Sequence, residues 1–231
     1  MSLVPGQYTA AGREFRVIRA LRHRNYRLFW FGSAGQSAGQ GMQFLILGWL
    51  VLDLTDSSSQ LGLVIFLYGI ANLGLLLFGG IFADRVDRRW LLVWCQGLAV
   101  LLVFAVATLR VSDVLTLWHV YAAASILGAV QGLEMPTRMA IVGDLVDRED
   151  VMNAVALNSA MMNAGRIIGP AVAGAIIELT GIGPSLYFNS ACYAAGVLFL
   201  TMITMSPPKS ERNVSMIRAL SEGVTYFWTT P

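Results

Sequence analysis

The sequence predicts an all-α integral membrane protein whose six transmembrane helices form one bundle. Composition is the first reason: of 231 residues, 56% are apolar and only 13% charged, with a mean hydropathy of +0.62, whereas soluble domains run to roughly 45–50% apolar. Arrangement is the second. The apolar residues fall into six runs long enough to cross a hydrocarbon core of about 30 Å at about 1.5 Å per residue, and nearly all charges lie between the runs. Lipid offers no partner for an exposed backbone N–H or C=O, so each run is expected to be a helix.

Residues 1–27 form a tail with six arginines and no apolar run of signal-peptide length, which is expected to stay in the cytoplasm. The spans then run approximately Leu28 to Leu52, Leu61 to Ala83, Trp90 to Leu109, Leu117 to Leu133, Ala154 to Ile177 and Pro184 to Met205. Of the 16 basic residues, 14 lie in the tail, the second-to-third and fourth-to-fifth connections and the segment after the sixth span. Arg110 alone lies on the opposite side. By the positive-inside rule both ends of the chain are cytoplasmic, which makes this a multi-pass protein of the plasma membrane.

The connections are short. Asp53 to Gln60 is rich in Asp, Ser and Thr, and Thr180 to Gly183 is rich in Gly, as tight helix-to-helix turns require. The acidic stretch Gly143 to Asp150, just ahead of Asn153, is expected to cap and start the fifth helix. Ser206, Pro207 and Pro208 end the sixth span. Beyond them Ile217, Leu220, Val224, Phe227 and Trp228 recur at helical spacing, which predicts an amphipathic helix along the inner membrane surface. The domain plan is therefore a tail (1–27), a bundle (28–205) and a linker (206–231).

Several function classes are excluded. A net charge of +2 does not point to nucleic acid. Cys95 and Cys192 sit inside apolar runs with no His or Cys at metal-ligand spacing, so neither a metal nor a cofactor is expected. The two histidines, His23 and His119, lie in the tail and at a helix mouth, which supplies no intramembrane catalytic set. The chain reads as a transporter rather than an enzyme.

Two motifs carry more. Gly80, Asp84, Arg85, Asp87, Arg88 and Arg89 form a charged hairpin between the second and third spans. Gly80 permits close helix packing, Asp84 can bind a helix N-terminus or an arginine, and the basic residues hold the turn at an anionic leaflet. In the fifth span Gly165, Gly169 and Gly174 give a close-approach face, and Pro170 removes a backbone donor so that the helix can bend. The hairpin resembles the signature loop of the major facilitator superfamily, with Asp87 where that pattern has its second Gly. The fifth span resembles the antiporter motif of the same superfamily's exporters, with Ala173 in place of one of the usual paired glycines.

Polar residues within the spans are the site candidates. Arg166 lies near the middle of the fifth span, where an arginine costs about 2.5–3.5 kcal/mol on insertion scales. It must face protein or water, and its partner is a backbone carbonyl, an anionic substrate group or a residue outside this chain. Glu134 and Arg138, four apart at the inner end of the fourth span, share a helix face unless Pro136 breaks the helix between them. Gln36, Gln40 and Gln43 form a stripe on the first span and, with Asn72, Asn158 and Met162, are candidates to line a cavity. No Asp or Glu stands at mid-depth in any expected span.

Taken together, Leu21 to Pro231 resembles the N-terminal half of a major facilitator transporter, closest to the bacterial drug and siderophore exporter branch. The resemblance implies one bundle built as an inverted 3+3 repeat, a second six-helix bundle that this sequence lacks, and a small-molecule substrate site between the two. It also implies alternating access, export coupled to protons, and a latch in which the Asp84 loop meets Arg138. Gly128 stands where many proton-coupled exporters of that superfamily carry an arginine, so the coupling group is expected in the missing half or at Glu134. A homodimeric facilitator or channel made of two such chains is the alternative.

Overall fold

The computed structural model describes residues 19–83 and 86–204. They form six helices, α1 (Arg24–Thr55), α2 (Ser58–Ala83), α3 (Arg88–Val111), α4 (Leu117–Leu145), α5 (Val151–Thr180) and α6 (Ile182–Thr201), after one 3-10 turn at Arg19–Arg22. The expected surface helix at 217–228 lies outside the described residues. The helices run up and down, so the start of α1 and the end of α6 meet at one end, where Asn25 Nδ2 donates to Thr204 O at 2.7 Å. Arg19, Arg88 and Arg89 gather there, and it is called the basic end below. The other is the far end.

The turns are as tight as their composition requires. α1 closes at Asp56, in the left-handed region at φ 48°, and the Asp56 N–H donates to Leu52 O. α5 passes into α6 through Gly181 alone, at φ 91°, a conformation that strains any residue with a Cβ.

α4 departs from its expected end at Leu133, continuing unbroken through Pro136 to Leu145. Proline removes one donor, but the neighbouring Thr137 hydroxyl bonds Leu133 O at 2.7 Å and the Glu134–Arg138 pair spans the same turn. Ile141, Val142 and Leu145 then bury themselves against Tyr26, Phe29 and Leu92 at the basic end. That apolar burial carries the helix past its proline. The acidic stretch before α5 also behaves differently from expectation. Asp150 occupies the N-cap position but makes no side-chain cap; its carboxylate turns to Arg19 (2.9 Å) and His23 (3.0 Å) instead.

The packing has internal symmetry. The closest pairs are α2 with α4, α1 with α5, α1 with α6, α3 with α6 and α3 with α4. Exchanging α1 with α4, α2 with α5 and α3 with α6 maps this set onto itself. That is the pattern of two three-helix repeats related by a pseudo-two-fold axis in the membrane plane.

The bundle buries polar side chains beside two apolar clusters and is apolar outside. Gln36, Gln43, Gln96, Glu134, Arg138, Asn158, Ser185 and Asn189 are buried, while Trp94 (74%), Trp118 (78%), Ile167 (75%) and Leu179 (82%) are exposed. So apolar a surface over buried polar groups suits a lipid surround. By length and composition alone α2, α3 and α5 are apolar enough to cross a membrane. The others owe their lower hydropathy to the polar residues they turn inward: Gln36 and Gln43 on α1, Glu134 and Arg138 on α4, Asn189 and Ser190 on α6.

Candidate functional site

Glycines set the spacing of the two central crossings. A Cβ on Gly41 of α1 would stand 2.2 Å from Gly165 O of α5, and one on Gly169 would stand 2.8 Å from Ala38 O and from the Cα of Gly41. On the symmetry-related pair, a Cβ on Gly128 of α4 would lie 2.1 Å from Tyr68 O of α2, and one on Gly132 would lie 2.4 Å from Asn72 O. Backbone therefore meets backbone at both crossings. Gly165 and Gly169 take the close-approach role expected of them. Gly174 does not, since a Cβ there would meet only Leu45 Cδ2 at 3.8 Å. Pro170 stays within the α5 helix.

One turn toward the basic end from the Gly128–Gly132 crossing lies a buried charged cluster. Arg138 Nη2 meets Glu134 Oε1 at 3.2 Å, Arg138 Nη1 donates to Ser33 Oγ at 2.6 Å, and Gln96 Nε2 donates to the same Glu134 oxygen at 2.8 Å. The guanidinium also lies over the Phe29 ring, 5.2 Å from its centroid. Side chains of α1, α3 and α4 are thereby tied at one point. Two expectations are corrected here. Arg138 is buried in this cluster rather than at the inner surface, and among the described residues its carboxylate partner is Glu134. Glu134 is also deeper than its expected place at a helix end, because the longer α4 puts it only about 4.5 Å past that helix's midpoint.

A tier of amides lies at mid-height. Gln40 Nε2 donates to Gln131 Oε1 across α1 and α4, and Tyr193 OH donates to Gln43 Oε1 at 2.7 Å. Above it, toward the far end, a cavity of about 300 Å³ opens between α1 and α2. Gln40, Gln43 and Tyr68 supply its polar edge, and Phe44, Trp49, Leu52, Leu61 and Ile65 its apolar walls. Of the six candidates for a cavity lining, Gln40 and Gln43 take that place. Gln36 is buried against Gly196 of α6, the backbone of Asn72 belongs to the α2–α4 crossing, and Asn158 is fully buried with its amide nitrogen 3.7 Å from Met162 Sδ.

At the basic end, the hairpin residues that the structure describes all hold helices together. Asp87 caps α3, accepting from the N–H groups of Arg89 (2.9 Å) and Trp90 (3.3 Å). Arg88 Nη1 pairs with Asp144 Oδ2 of α4 at 2.7 Å. Arg89 donates to Leu200 O (3.0 Å) and Thr201 O (2.6 Å), the carbonyls that end α6. Gly80 lies within α2, and Asp84 and Arg85 lie outside the described residues. Among the described residues the hairpin meets the fourth helix through Arg88 and Asp144.

Arg166, expected to face protein or water, is exposed on α5, and among the described residues no hydrogen bond or ion pair holds it. Its neighbours Ile167 and Ile168 are exposed as well. Sequence reasoning missed Gln96, Ser33, Asp144 and Tyr193. Gln96, the amide in an otherwise apolar middle stretch of the third span, was the one with a readable signal.

Residues 17–230 match the family described as transmembrane secretion effectors. This chain belongs to that family. The family is one of major facilitator transporters rather than of enzymes. The chain is 28% identical over 182 residues to the staphyloferrin A transporter of Staphylococcus aureus (strain NCTC 8325 / PS 47), covering 78% of this chain and 46% of that one. The enterobactin exporter EntS of Shigella boydii serotype 18 is 25% identical, covering 77% and 43%. Among solved structures, the POT family transporter PepTSo superposes with a TM-score of 0.68 at 15% identity, over 89% of this chain and 47% of that one. The secretion effector chain described here spans less than half the length of each.

Proposed function

We propose that this bundle is one half of an alternating-access exporter that moves a small amphipathic compound of the siderophore class out of the cell, coupled to protons. The observation that carries the reading is the mid-height polar tier. Gln40 and Gln131 bond each other beside a cavity that is open on one flank, and Arg166 stands exposed at a similar height. Lipid would be a poor cover for Arg166 and the amides beside it, and a second six-helix bundle would enclose them. The relatives' names supply the compound class and the direction of transport. The excess of basic residues at one end supports cytoplasmic placement of both described ends.

In this reading the glycine crossings keep each helix pair rigid while the bundles rock. The contacts of Asp87, Arg88 and Arg89 close the basic end, and Glu134 carries the coupling proton.

The test is export by the full-length protein in cells lacking their own siderophore exporters, with staphyloferrin A and enterobactin as probes. Export of at least one, abolished by a protonophore, supports the reading. Gradient-independent flux through a dimer of this chain would replace it with the facilitator alternative.

A further inference from the structure

Arg166 is a charged group at mid-height in the bundle that, among the described residues, no partner holds. Arg19, Arg88, Arg89, Arg110 and Arg138 each have a carboxylate or carbonyl partner. Its height follows from its neighbour: Gly165 rests on Ser37, and Gly169 on Ala38 and Gly41. Arg166 therefore stands at the level of Ser37 to Gln40, near the middle of α1.

Its direction follows from the helical wheel. Around α1, Gly32, Gly35 and Gly39 face α6, Ser33 and Gln40 face α4, and Ser37 and Gly41 face α5. With increasing helical angle the neighbours thus come in the order α6, α4, α5. α5 runs parallel to α1, since Tyr26 meets Ala154, Ser37 meets Gly165 and Gly41 meets Gly169 in ascending order. Seen from α5, the side where α4 lies comes after the contact line in the same sense of rotation. Arg166 follows Gly165 by one residue, about 100°, so it points to the α4 side. α4 and α5 barely touch, which leaves that side open. Gln40 and Gln131 close its back, and Phe44, 65% exposed, stands one turn above Gln40.

We propose that Arg166 is the anion-recognising residue of the transport site, and that the transported compound carries a carboxylate, or an oxyanion of the same planar two-oxygen shape, beside an apolar body. A guanidinium presents two parallel N–H groups to such an anion. The amides of Gln40 and Gln131 offer neutral polar contacts next to it, and the cavity walled by Phe44, Trp49 and Leu52 takes the apolar body. The inference rests on the exporter reading and adds to it the charge of the substrate and the residue that selects it.

The experiment uses the full-length protein in neutral-lipid nanodiscs, with 4-(1-pyrenyl)butyrate and its N-methylamide as probes. Binding is followed by energy transfer from tryptophan to pyrene, with empty discs as blanks. The carboxylate is expected to bind roughly tenfold tighter than the amide, the scale of one charge-assisted hydrogen bond. Arg166→Gln should erase that preference while leaving amide affinity in place, and Arg166→Lys should keep part of it. Equal binding of the two probes by the unmodified protein, or an unchanged preference in Arg166→Gln, overturns the proposal. So does a lowered melting temperature in Arg166→Gln with the preference intact, because Arg166 would then be bonding a protein carboxylate. Siderophore export measured on the same preparation separates the two readings: export without the preference leaves the exporter standing and removes the anion site.

Discussion

Replacing Gly128 with alanine tests whether the central crossings are set by backbone contact. The new Cβ would lie 2.1 Å from Tyr68 O and 2.9 Å from the Tyr68 carbonyl carbon, both backbone atoms that cannot rotate away. Reaching an ordinary contact requires α4 and α2 to part by about 1 Å. A gap of that size forfeits about a quarter to a half of each contact's attraction, itself only about 0.1–0.2 kcal/mol. Over roughly twenty atom pairs at the crossing this sums to about 1 kcal/mol, and the remaining overlap raises the cost to about 1–3 kcal/mol. Gly97 on α3 is the control, because a Cβ there meets nothing within 4 Å. Alanine at Gly97 should instead be neutral or stabilising by up to about 1 kcal/mol through helix propensity. The assay is the apparent melting temperature of the purified protein in one detergent, with Gly41→Ala as the symmetry-related counterpart. If Gly128→Ala and Gly41→Ala melt with Gly97→Ala, the crossings are looser than described and the reasoning fails.

Arg138→Ala should destabilise the protein by about 3–5 kcal/mol, because it leaves the buried Glu134 carboxylate with Gln96 alone; thermal unfolding would show it as the largest loss among these variants. Ser33→Ala removes one hydrogen bond to that guanidinium and should cost about 1.5–3 kcal/mol in the same assay. Asp87→Ala removes the α3 cap and should cost about 0.5–2 kcal/mol, with Asp87→Asn or Asp87→Ser keeping most of it. Glu134→Gln should leave export measurable but insensitive to an imposed pH gradient, with partial return in Glu134→Asp; export that still follows the gradient would remove Glu134 from the coupling step.

The six spans were legible because each apolar run is longer than a soluble core helix needs and each gap holds charges or turn residues. The ends of α4 were not. Pro136 and Glu134 read as a helix terminus at the inner surface, and only the burial of Ile141, Val142 and Leu145 against α1 and α3 shows why the helix goes on. The i, i+4 spacing of Glu134 and Arg138 was readable, but Ser33 lies 105 residues and Gln96 38 residues from their partners in the cluster. No local pattern announces such distant contacts. The hairpin reads as a loop in which Asp84 binds a helix N-terminus or an arginine and the basic residues hold the turn at an anionic leaflet. That Asp87 caps one helix and Arg89 ends another depends on where α3 starts and where α6 stops.

The two kinds of polar group in this bundle differ in what a change of charge would do. Glu134 and Arg138 are buried together and joined to Ser33 and Gln96, so α1, α3 and α4 are held by one ion pair. Neutralising Glu134 would leave Arg138 without its counter-ion at that depth, and the cheapest response is for the guanidinium to move toward other acceptors. Its bond to Ser33 ties α4 to α1 alongside the Gln40–Gln131 bond, so a proton on Glu134 would act on the packing of α4 against α1. Arg166, by contrast, lies on α5 beside a crossing fixed by Gly165 and Gly169. A ligand bound there would meet a rigid α1–α5 pair, and the strain of binding would pass to the α4 side, where contact with α5 is sparse. Proton and anion would then both act on α4, which gives the two events a shared mechanical element without direct contact between their charges.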